Sequence, residues 1–201
     1  MSHDSDTAYV ATGEHFNLRP FGVPDIETVG EWFADSAFRR SALATEEPFE
    51  VTEALHALIR HSQANPTVQS WVMEDRTGQL AAFGNWKPDF PFLDVYEIDL
   101  VLNPSLPRGM GYGTEACKLL VAHLFHTARP HKVFGRIALF NEAMRAVAAK
   151  AGTIEGCLRQ HAVCAGQRID LQVFGILRSE WESTVDCSDL THMTDGGERL
   201  E

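Results

Sequence analysis

PRGMGYGTEA (residues 107–116) places three glycines within five positions, directly after an apolar run and directly before a helical one. A strand that ends in glycines and feeds a helix aims several unpaired backbone N–H groups at one spot. The helix dipole adds partial positive charge there. Gly109, Gly111 and Gly113 remove side chains that would hold an anion away, and they permit φ > 0. Arg108 sets a full positive charge beside the opening, and Thr114 is available to cap the helix or to donate a hydroxyl. Locally two readings stay open, a generous turn and a cradle for phosphate. The stretch is not a Walker loop, since no Gly-Lys-Ser/Thr follows. Its G-x-G-x-G spacing also departs from the dinucleotide fingerprint.

Working outward, VYEIDLVL (95–102) alternates as a strand should, and a helix is expected from about Thr114 to Thr127, with Ala116, Leu119, Leu120 and Leu124 on one face. Upstream, HFNLRPF (15–21) reads as a first strand. Helical spacing follows through Ile26, Val29, Trp32 and Phe33, then a polar link over 37–50, then a second helix over Val51–His61. VQSWVMED and QLAAFGNW form a strand pair around Arg76-Thr77-Gly78, and KPDFPF (87–92) reads as a proline-broken loop. Downstream come the strand KVFGRIALF (132–140), the helix NEAMRAVAAKAG, which Gly152 is expected to end in a left-handed conformation, and two final strands around Ala165-Gly166. The order β-α-α-β-β-β-α-β-α-β-β predicts an α/β (α+β) domain over residues 15–182. A single mixed sheet of about seven strands flanked by about four helices is expected.

The 201 residues suffice for one domain with a substantial core, and 44% apolar with 22% charged residues is ordinary for a globular protein. Net charge is −11, but residues 1–14 supply −3 and residues 183–201 supply −4, leaving −4 for the remainder. Both tails lack periodicity and are expected to be disordered. That balance argues against nucleic acid as a partner. No apolar run approaches the ~20 residues of a membrane span, and no signal-peptide pattern opens the chain, so a cytoplasmic location without membrane attachment is expected. Cys117, Cys157, Cys164 and Cys187 lack the spacing of a zinc site or a disulfide framework, and the first three are read as small core residues. His123 and His126 stand three apart on one helix with no acidic or cysteine partner; they are read as surface or interface histidines, and no metal is expected.

Arg108-Gly109-Met110-Gly111-Tyr112-Gly113 fits the R/Q-x-x-G-x-G/A motif of the GNAT superfamily of acyl-CoA N-acyltransferases, and GYGTEA resembles the GYATEA of its RimJ/RimL-like branch. LRPFGVPDIETVGEW (18–32), NEAMRAVAAKAGTIEGCLR (141–159) and RIDLQVFGILRSEW (168–181) resemble that branch's opening, middle and closing motifs. The four occur in the right order across about 165 residues. The resemblance implies a GNAT fold and acetyl-CoA, or another acyl-CoA, as donor. It also implies that Arg108, Gly109, Met110, Gly111, Tyr112, Gly113 and Thr114 hold the pyrophosphate. Asn141 then touches the pantetheine arm, and the strand before the loop supplies backbone groups and an oxyanion donor near Val101 or Leu102. The implied partner is an amine-bearing acceptor, a protein N-terminus or a small metabolite or antibiotic, handled by a monomer or homodimer.

Acyl transfer to an amine needs the amine neutral, a donor for the oxyanion, and help for the departing thiolate. Period 2 puts Tyr96, Ile98, Leu100 and Leu102 on one face of VYEIDLVL and Glu97, Asp99 and Val101 on the other. Glu97 aligns with the position where many family members keep a general base. Repulsion between Glu97 and Asp99 is expected to raise one pKa. An ordinary solvated strand face is the alternative. Met144 stands where the family pattern has a serine near the cofactor sulfur, and it has no proton to give. Three consequences stay open: water or another group protonates the thiolate; the donor differs, for example an unusual acyl-CoA or an aminoacyl-tRNA; or the domain binds acyl-CoA without catalysis.

Overall fold

The computed structural model describes residues 8–184. Alternation in the central segment produces β5 (Phe92–Leu102), with Tyr96 and Ile98 buried towards one side of the sheet. Around it the chain forms β1 (Ala11–Thr12), β2 (Phe16–Pro20), a 3-10 turn (Val23–Asp25), α1 (Ile26–Trp32), α2 (Ser36–Leu43), α3 (Val51–Ala64), β3 (Gln69–Asp75) and β4 (Leu80–Asp89). After β5 come α4 (Tyr112–Thr127), β6 (Lys132–Ala138), α5 (Glu142–Ala151), β7 (Thr153–Cys164), β8 (Gln167–Leu177) and α6 (Arg178–Thr184). The α/β mixed sheet is as expected, with eight strands in the order β1-β2-β3-β4-β5-β6-β8-β7 and six α-helices. The added strand is β1, a two-residue piece whose Ala11 is buried; it lies in the segment read as a disordered tail. Residues 1–7 and 185–201, which hold the rest of both expected tails and Cys187, lie outside the described residues.

Two apolar cores lie on opposite faces of the sheet. On one, α4 sinks Leu120, Leu124 and Phe125 against Phe16, Met73, Ile98 and Val133. On the other, Val29 and Trp32 of α1, Phe33 just after it and Leu55 of α3 cover Phe21, Val72 and Phe83. Each large side chain so buried contributes about 1.5–3 kcal/mol relative to exposure. Arg19 bridges Asp25 and Glu74, fixing the entry to α1 against β2 and β3.

Five expectations are corrected. The stretch 87–92 is not a loop: β4 runs on through Lys87, Pro88 and Asp89 and β5 begins at Phe92, because Pro88 and Asp89 still pair across to β5. The polar link over 37–50 contains α2, because Arg39 is no solvated charge: it is buried and donates to the carbonyls of Phe33, Ala34 and Glu46. Gly152 is extended rather than left-handed (φ −162°). Glycine is needed there because a Cβ would lie 2.5 Å from the Gly175 carbonyl oxygen. His123 is buried, its ring edge-on to Trp71 at 4.5 Å, and burial holds its pKa down at about 4. Cys117 and Cys164 are buried as expected, but Cys157 is exposed, since β7 is the edge strand.

Candidate active site

The parallel neighbours β5 and β6 share only three ladder pairs, Val95–Lys132, Tyr96–Val133 and Glu97–Phe134. Beyond Glu97 the strands part, while β5 stays paired to β4 as far as Leu102 and β6 stays paired to β8 as far as Ala138. A cleft of about 1150 Å³ opens at this split, with residues 97–102 of β5 and 135–138 of β6 along its walls. Val101 and Leu102 line one side.

The glycine stretch sits at the end of β5 and separates into two roles. Gly109 (φ +82°) and Gly111 (φ +84°) have the left-handed backbone that favours glycine, and a Cβ on either would meet nothing within 4 Å. Gly111, rather than Thr114, is the N-cap of α4, so no side chain occupies the cap. Thr114 and Glu115 donate back to the Gly111 carbonyl, while the N–H groups of Tyr112 and Gly113 have no partner among the described residues. Gly113 is different: a Cβ there would lie 2.8 Å from Val147, so this glycine lets α4 approach α5. Arg108 and Met110 are exposed beside the loop, and both line the cleft. An uncapped helix start, free amides and open space suit a pyrophosphate, so the residues fit coenzyme A.

On the α1–α3 side of the split, register sets Lys87 opposite Glu97 and Asn85 opposite Asp99. Glu97 is buried; Arg136 donates to it from Nε at 2.7 Å and Nη2 at 2.8 Å, and Lys87 Nζ lies at 3.3 Å. Asp99 has solvent access from the cleft, yet the surrounding protein raises its pKa. Glu97 adds to that rise, while Lys87 and Arg136 oppose it. The accessible surface reflects the open mouth of the cleft, whereas the pKa reflects how closely protein crowds the carboxylate within it. Desolvation outweighs the repulsion that the sequence suggests. Lys87 and Arg136 were not legible as site residues: nothing in their local sequence marks them, and only the β4–β5 register and the β5–β6 neighbourhood bring them to Glu97.

Asn141 caps α5 by accepting from the Met144 N–H at 3.1 Å, and its Nδ2 donates to the Ser41 carbonyl at 2.8 Å, tying α2 to α5. Met144 is half-buried and lines the cleft. Cys117 also borders the cleft, but burial pushes its thiol up to about 12, so it stays protonated. Among the described residues no group of side chains is arranged to hold a metal ion, and no helix is long and apolar enough to cross a membrane.

A parallel pair that splits beside a glycine loop gives an extended donor a groove and its phosphates an uncapped helix start. The chain belongs to the acetyltransferase (GNAT) domain family, whose model matches residues 15–154. Among solved structures it is similar to spermidine N-acetyltransferase from Vibrio cholerae in complex with CoA and spermine (18% identity, TM-score 0.74, covering 85% of this chain and 99% of that one). It is also similar to RimL, the ribosomal L7/L12 α-N-protein acetyltransferase, in complex with coenzyme A (16%, TM-score 0.73, 86% and 99%). A third likeness is to the ribosomal-protein-S5-alanine acetyltransferase from Vibrio fischeri (16%, TM-score 0.71, 85% and 97%). At these identities the likeness is one of fold. No curated protein sequence matches the chain.

Proposed function

We propose that this protein is an acetyl-CoA-dependent N-acetyltransferase acting on a primary amine, with Asp99 as the general base and Glu97 as the residue that positions it. The observation that carries this is the split between β5 and β6, with the glycine loop at one end and Asp99 on its wall. When bound, acyl-CoA supplies the thioester-activated acyl group. Arg108, Gly109, Met110, Gly111, Tyr112, Gly113 and Thr114 hold its pyrophosphate through amides and charge, and Asn141, Val101 and Leu102 flank the extended arm. Main-chain N–H near Val101 or Leu102 would be the donor available to an oxyanion there.

Asp99 takes the proton from the incoming ammonium. Its raised pKa suits that task better than an ordinary carboxylate would. Glu97 has both oxygens held by Arg136, so it anchors the two cations beside Asp99 rather than accepting a proton. Met144 has no proton to give, so in this reading it would border the donor's sulfur without acting as an acid, and the proton for the thiolate would come from water or another group lining the cleft. The acetyl donor is favoured over an aminoacyl-tRNA or a non-catalytic role by membership of an acetyltransferase family.

The test is thiol release from acetyl-CoA with a panel of primary amines. Asp99→Asn is expected to lower kcat/KM by about 10²–10⁴, and Glu97→Gln by less. Undiminished turnover by Asp99→Asn removes it as base. Release of thiol that is independent of any amine rejects the reading as a whole.

A further inference from the structure

On the acceptor wall of the split, two cations stand beside two carboxylates, and the cations keep donors to spare. Arg136 gives Nε and Nη2 to Glu97, while its Nη1 has no partner among the described residues. Lys87 Nζ touches Glu97 at one contact of 3.3 Å, and its side chain is about half exposed. Both side chains line the cleft, as does Asp99.

From these contacts we infer that the acceptor carries an anionic group beside its amine, held by Lys87 and Arg136 while the amine lies against Asp99. This rests on the reading of the site as an amine acetyltransferase. A single acid beside a single base would carry no such information, but here the positive groups outnumber what Glu97 needs. With Asp99 ionised the four groups sum to zero, so a polycationic amine gains no net attraction; a zwitterion is matched at both ends. Once Asp99 has taken the proton, the local excess is positive and holds the anion still.

Distance limits the size of the acceptor. Asp99 lies two residues beyond Glu97 on β5, and Lys87 is register-paired with Glu97, so the amine and anion subsites are about 7 Å apart along the strand. The ammonium and carboxylate of one α-amino acid span that interval once an ionic contact is added at each end. Phe33, Phe38 and Phe83 on the cleft wall supply apolar cover for a side chain. The class is therefore a small amine with an adjacent carboxylate or phosphate-like group.

Calorimetry on the full chain tests this without requiring turnover. The probes are L-phenylalanine, L-phenylalaninamide, the aminophosphonate analogue of phenylalanine, and spermidine. The acid is expected to bind at least tenfold more tightly than the amide. Lys87→Gln, an exposed change that leaves Arg136 on Glu97, is expected to remove most of that preference. Tighter binding of the phosphonate than of the carboxylate assigns the anion to the phosphate class, and the reverse assigns it to carboxylates. Equal affinity for acid and amide, no binding of either anion, or tightest binding of spermidine overturns the inference. Acetylation of amines with no acid-over-amide preference overturns it while leaving the enzymatic reading intact. An intact preference without acetyl transfer to any amine does the opposite.

Discussion

Asp99 and His123 carry pKa shifts of opposite sense from the same cause, loss of water around the charged form. For Asp99 the neutral form gains, so the acid limb of kcat/KM is expected above the ordinary carboxylate range, with activity rising as pH rises through it. Lys87 lowers this pKa and Glu97 raises it, so Lys87→Gln is expected to move the limb to higher pH and Glu97→Gln to lower pH. A pH–rate profile in which neither variant shifts the limb separates the limb from Asp99. For His123 the neutral form also gains, with a folded pKa of about 4 against 6.5 for the free side chain. Unfolded chains therefore take up the proton first. Stability is full above pH 6.5 and falls as pH drops towards 4, by up to about 3 kcal/mol. Denaturant titrations from pH 7 to pH 4.5 are expected to show this slope in the wild type and to lose most of it in His123→Asn. The sequence anticipates that one carboxyl of the Glu97–Asp99 pair is raised, but not that desolvation is the larger cause, and it gives no sign of the His123 shift. Asp99 was seen as half of an acidic pair, and His123 as a surface residue, because depth within the fold is set by partners far along the chain.

Gly113 and Gly152 hold elements together by what they lack. A Cβ at 113 meets a side-chain methyl of Val147 in α5 at 2.8 Å, which only a shift of the helix or an unfavourable rotamer relieves. One at 152 meets the backbone oxygen of Gly175 at 2.5 Å, which cannot turn aside. Gly113→Ala is expected to cost about 1–3 kcal/mol through forced repacking of α4 on α5. Gly152→Ala is expected to cost more than Gly113→Ala, since β8 itself must move. Thermal unfolding of the two variants gives the order, and a smaller loss at 152 refutes this assignment. Most of the elements were readable. Alternation in VYEIDLVL, the apolar face of α4 and the strand pair around Thr77-Gly78 declare themselves locally. α2 did not, because its arginines resemble a solvated run until Arg39 is seen bonding to three carbonyls. The two-residue β1 is too short to carry any period.

Taken as a whole, the molecule is two unequal half-sheets, β1–β5 and β6–β8, joined across β5 and β6 by only three rungs, with α4 and α5 packed together beside the join. α2 sits over the opening, tied to α5 through the Asn141 contact to Ser41. Amides of α2 are expected to exchange faster than those of α4, and to slow when coenzyme A is added; hydrogen exchange with and without the ligand reads both, and an α2 indifferent to it rejects the coupling. The parting of β5 from β6 also means that this protein carries two strand edges, beyond Glu97 and beyond Phe134, that face the cleft rather than each other. In the proposed reading, a guest in that gap would take the place of a missing strand, pairing through amide groups with the main chain on either bank. Val101→Ala and Leu102→Ala should therefore leave coenzyme A affinity within about threefold, a change of under about 1 kcal/mol.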